Sequence, residues 1–119
     1  MEERQQRDTG LDTLSQGVAA LSSWIDEGNA SRHPEAATWA RLSKIAEEAG
    51  EVVAAYIGAT GQNPRKGVTH TISDVEEELL DVALTALAAL EHLRGHDARS
   101  GRLLAEKLTR TLERAGLPS

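Results

Sequence analysis

The chain contains no cysteine and no phenylalanine, only three prolines, and 3% aromatic residues. Without cysteine there can be no disulfide and no thiolate metal ligand, which fits a reducing compartment. With two tryptophans and one tyrosine, the core must be built from Leu, Val, Ile and Ala. That composition suits helices better than a sheet rich in β-branched and aromatic residues. No apolar run reaches about 18 residues, so no membrane span is expected. The first residues, "MEERQQRDTG", lack the apolar centre of a signal peptide, so a cytoplasmic location is expected. Positive charge is also scarce, at a formal net charge of −6. An acidic chain is a poor partner for nucleic acid, because phosphate binding draws on Lys and Arg excess. A phosphate-bearing small molecule stays open if a divalent cation lies between it and the protein.

A length of 119 residues suits one domain. Residues 1–9 read as a flexible N-terminal tail and 10–116 as a single helical domain. From about Gly10, Leu11, Leu14, Val18, Leu21, Trp24 and Ile25 recur at helical spacing, which stops at "DEGNAS". Pro34 is placed to open a second helix. Leu42, Ile45, Ala49, Val52, Val53 and Tyr56 form its apolar face, and Gly58 is expected just past its end. A long polar loop, "GATGQNPRKGVTHT", follows. Ser73 to Glu76 reads as a capping box opening a third helix, to about Arg94 with Gly95 at its end. A fourth is expected over about 97–115, with Leu104, Leu108 and Leu112 in one row and Gly116 at the stop. The expected fold class is all-α, four helices without strands.

The stretch "IAEEAGEVVAAYIG" sets Glu47, Glu48 and Glu51 inside a helix. Carboxylates are costly to bury unless something pairs with them, so this face looks either at water or at a cation. Glu48 and Glu51 are three apart and share a face. The third helix is apolar over most of its circumference, as a buried helix is. Its remaining residues, Glu77, Glu78, Asp81, Thr85, Ala88 and His92, fall within an arc of about 100°. Two helices thus each offer an acidic pair at i, i+3. Packed antiparallel, they bring four carboxylates into one cleft, a repulsive cluster without a cation. Oxygen ligands with no His or Cys point to Mg2+ or Mn2+. The bland reading is a solvated charged face, with Lys44 pairing with Glu48.

"EEAGE" followed by "ELLD" resembles the EExxE…ExxD pattern of the MazG-like, all-α nucleoside triphosphate pyrophosphohydrolase superfamily, over roughly residues 35–93. The resemblance implies a compact, four-helix bundle-like MazG fold assembled as a homodimer or homotetramer. It implies Mg2+-dependent hydrolysis of an NTP or dNTP to the monophosphate and pyrophosphate, serving to clean the nucleotide pool. By motif position the metal ligands would be Glu48, Glu51, Glu78 and Asp81. Glu47 would be the catalytic residue, orienting the attacking water or holding a further ion.

In the long loop, Arg65 and Lys66 are natural phosphate partners, and with Asn63 they are the expected substrate-binding residues. The alternative is an ordinary solvated basic loop. Trp24 and Trp39 are expected in the core, with stacking on a base as the alternative. His92 is expected as a solvated or hydrogen-bonded side chain. Two other functions fit a helical chain of this kind. A di-iron carboxylate bundle would call for Glu-x-x-His motifs, where this chain has Glu51 and Asp81. A non-catalytic interaction or dimerisation protein would leave the carboxylates dispensable.

Overall fold

The computed structural model describes residues 2–119, with side chains from Thr9 onward. Met1 and the side chains of residues 2–8 lie outside the described residues, and the expected tail falls largely on them. Four helices follow in order: α1 (Glu2–Gly28), α2 (Pro34–Thr60), α3 (Ile72–Leu93) and α4 (Ser100–Arg114). No strand occurs among the described residues, so the chain is all-α. None of these helices is long and apolar enough to cross a membrane. The chain divides into two compact units, one of residues 1–31 with 90–119 and one of residues 32–89.

The helix ends follow local chemistry. Pro34 opens α2 as expected, and His33 caps it, its Nδ1 accepting the Glu35 amide at 3.2 Å. α2 runs past Gly58, and its left-handed cap is Gly61, at φ 66°. Gly58 instead lies inside the helix, where the loop folds back on it. The amides of Thr69 and His70 donate to its carbonyl at 3.0 and 3.4 Å. A Cβ there would run into the His70 ring and sit 2.6 Å from Thr69 Oγ1. The capping box of α3 also lies earlier than expected. Thr71 and Asp74 bond reciprocally, Thr71 N to Asp74 Oδ2 at 2.9 Å and Asp74 N to Thr71 Oγ1 at 3.2 Å. Asp74 thus does the work expected of Glu76. Gly95 and Gly116 take positive φ just beyond α3 and α4, as read from the sequence.

In the unit of residues 32–89, α2 and α3 run antiparallel. Arg41 lies opposite Ala88, Nη2 donating to its carbonyl at 2.9 Å, and Glu48 lies opposite Asp81. The buried positions of this pair are Arg41, Glu48, Ala55, Gly58, Ala88 and Ala89. The expected apolar face of α2 therefore points elsewhere: Leu42, Val53 and Tyr56 are exposed. α3 is corrected in the same way, since Leu79, Leu80 and Leu84 are exposed while Ala88 and Ala89 are buried. Small and polar residues occupy the buried positions of the pair, and these branched side chains stay outside. Trp39, expected in the core, is 65% exposed.

In the unit of residues 1–31 and 90–119, α1 packs on α4. Gly101 permits the contact, as a Cβ there would lie 2.8 Å from Ser15 Oγ and 3.0 Å from the Leu11 carbonyl. Val18 and Ala19 are buried, but Trp24, also expected in the core, is 69% exposed. Arg102 grips Asp12 with two nitrogens, at 2.7 and 3.0 Å.

A candidate metal centre between α2 and α3

Antiparallel pairing sets the second turn of carboxylates on α2 against the first on α3. Ligand atoms of Glu48, Glu78 and Asp81 all lie within 4.8 Å of one another. Glu51 neighbours this group without being one of its three members. Its carboxyl is held above the ordinary range, chiefly by the charge of Glu48, then by burial and by the charge of Glu78 with a hydrogen bond to it. Three of the four expected ligands converge, and Glu51 stands beside them. Glu48 is buried and Glu78 half-buried, whereas Asp81 and Glu51 are exposed.

The donor set fits a hard divalent cation. It is all oxygen, from two helices, at the mutual distances a six-coordinate ion spans. Glu78 Oε2 is buried and has no hydrogen-bond partner in the structure. A buried carboxylate oxygen among like charges is an uncompensated arrangement, and a cation is what compensates it. No such demand arises from the di-iron pattern, because no His joins these ligands.

The other expected residues are placed differently. Glu47 is exposed and outside the converging group, with Lys44 Nζ 3.3 Å from its Oε1. The same ammonium lies 3.3 Å from Glu48 Oε1, and these two contacts, that to Glu48 first, hold Lys44 above its ordinary value. Asn63, Arg65 and Lys66 are exposed in the loop after α2. The Asn63 side chain turns that loop, Oδ1 accepting the Arg65 amide at 3.1 Å. Thr60, the last residue of α2, is nine residues past Glu51, or about 14 Å along a helix.

Two features went unread in the sequence. Arg41, seven residues before Glu48 on the same face, is a buried guanidinium anchored on α3. Its heptad spacing to Glu48 was the available signal. In the other unit Asp26 Oδ2 accepts from His92 Nδ1 at 2.6 Å and lies 3.2 Å from His96 Nε2, which also meets Ser22 Oγ at 3.0 Å. His92 is thus a hydrogen-bonded side chain, as expected. Asp26 and Ser22 approach the same imidazole nitrogen of His96, so these residues do not form a nucleophile relay, which needs opposite nitrogens.

Compared with protein-family models, with curated proteins and with solved structures, the chain matches none.

Proposed function

We propose that the protein is a divalent-metal-dependent nucleoside triphosphate pyrophosphohydrolase with a MazG-like fold, hydrolysing an NTP or dNTP to the monophosphate and pyrophosphate. The observation that carries this reading is the convergence of Glu48, Glu78 and Asp81 within 4.8 Å, with Glu51 beside them. Bound Mg2+ or Mn2+ supplies charge neutralisation on the phosphate oxygens and a more acidic water. Glu48, Glu51, Glu78 and Asp81 hold the ion. Water is the nucleophile, which is consistent with a chain that has no cysteine. Glu47, the exposed neighbour of the group, accepts or orients its proton. Arg65 and Lys66 meet the outer phosphates, and Lys66→Ala should raise KM or lower kcat about tenfold.

The test is pyrophosphate release from a panel of ribo-, deoxy- and modified nucleoside triphosphates, with Mg2+, with Mn2+ and with EDTA. Metal-dependent release from one substrate is expected. Release from none under any condition would refute the reading.

A second reading, a helical interaction module, draws on a different observation. Trp39, Leu42, Val53, Tyr56, Leu79, Leu80 and Leu84 are 40–65% exposed in the α2–α3 unit. Large apolar side chains left open on two adjacent helices are the kind of surface that marks a protein interface. We propose that a second copy of the chain covers it, giving a homodimer or homotetramer, and that assembly accompanies catalysis rather than replacing it. Light scattering at micromolar concentration should give a multimer, and Leu80→Glu with Leu84→Glu should give the monomer.

A further inference from the structure

Lys44 differs from an ordinary surface partner in two respects. Along the helix it precedes Glu48 by four residues, the less favourable order for such a pair, so the contact adds little to the helix itself. The two groups are also unequally placed: the Glu48 side chain is 11% exposed and that of Lys44 is 49% exposed. The carboxylate is fixed between α2 and α3, and the ammonium reaches it on a flexible four-carbon stem from the solvent side. Glu48 also lies among Glu78 and Asp81, and the ammonium offsets part of that repulsion. A divalent ion seeks the same Glu48 lone pairs and repels the ammonium at short range.

We propose that Lys44 is a tethered counter-ion, its ammonium and a divalent cation exchanging on Glu48, the one leaving as the other binds. The inference rests on the metal reading given above. Lys44 is then a positioning residue: it holds Glu48 in place until the exchange and sets the concentration at which the cation takes over. Swung off Glu48, its stem keeps the charge beside the cluster, where the anion that accompanies the cation meets it.

Mn2+ binding to the full chain, by calorimetry without nucleotide, tests the exchange. Lys44→Gln should tighten Mn2+ binding about fivefold over wild type, the scale of a lost partly exposed ion pair. Arg32→Gln, the same charge change in the site's own unit and about 20 Å from Glu48 along α2, should alter it less than about twofold, because screening weakens distant charges. Lys44→Arg should stay near wild type. Lys44→Gln should also melt below wild type in EDTA and regain the wild-type melting temperature in saturating Mn2+. Equal affinities for Lys44→Gln and Arg32→Gln, or a weaker Lys44→Gln, would overturn the exchange while leaving the metal site standing. No Mn2+ binding by wild type would overturn the metal reading, and the exchange with it.

Discussion

Glu91 and Glu48 are both buried carboxylates, 0% and 8% exposed, and their surroundings differ in kind. Glu91, in the unit of residues 1–31 and 90–119, accepts the amides of Ala98 and Ser100 at 2.9 Å each. Its backbone carbonyl takes the His96 amide at 2.8 Å. The carboxylate is spent on the turn into α4, whose N-cap residue Arg99 makes no side-chain cap of its own. Ser15 supplies the next acceptor, to the Gly101 amide at 2.8 Å. Glu48 has one ammonium and two further carboxylates around it, and its neighbour Glu78 keeps an unpaired buried oxygen. Burial of an acid is therefore not in itself a sign of function. What separates the two is whether the protein's own donors exhaust the lone pairs.

The sharpest break of this comparison is in activity. Asp81→Asn or Glu48→Gln should lower metal-dependent pyrophosphate release about a hundredfold or more, while Glu91→Gln should leave kcat within about threefold where the protein is folded. Equal losses at Glu48 and Glu91 would erase the distinction. In stability the order reverses. Glu91→Ala strands two buried amides and opens a cavity, at a cost of about 2–5 kcal/mol. Glu48→Gln, measured in EDTA, should be neutral or stabilising, because it removes one of several like charges. Chemical denaturation of both variants reads the contrast directly.

Smaller effects sharpen it. Gly58→Ala should cost about 1–3 kcal/mol by pushing His70 and Thr69 away; a wild-type melting temperature would show the loop to be free of α2. The two signs of carboxyl shift give opposite pH dependences. Glu51 sits above its ordinary value, so the folded chain binds more protons there than the unfolded one. Its contribution rises as pH falls through the folded value. Asp74 sits below, chiefly through the Thr71 amide and then the Thr71 hydroxyl. Its contribution is present above the ordinary value and is lost as pH falls through the folded one. Between about pH 7 and about pH 3 in EDTA, Glu51→Gln should remove part of the gain on acidification. Asp74→Asn should remove part of the loss.

Much was legible in the residues alone. Helical periodicity, Pro34, Gly95 and Gly116 mark four helices because backbone restriction and left-handed caps act within a few residues. The i, i+3 carboxylates could be paired across α2 and α3 because a loop between two long helices returns the chain antiparallel. The misread boundaries are close competitors: Gly61 took the cap expected of Gly58, and Thr71 with Asp74 the box expected of Ser73 with Glu76. Each was decided by where the loop packs, which local spacing does not encode.

The sequence by itself determined the helices and the acidic stripe, since residue type and a 100° step settle them. Only the tertiary structure decided which face of α2 and α3 meets within one chain. Periodicity shows where the apolar residues lie but not what covers them, and here Ala88 and Ala89 are buried while Leu80 and Leu84 are exposed. It likewise decided that Glu91 caps a helix nine residues away. That outcome depends on positive φ at His96 and Ala98, a backbone turn which non-glycine residues adopt only when the surrounding contacts hold it.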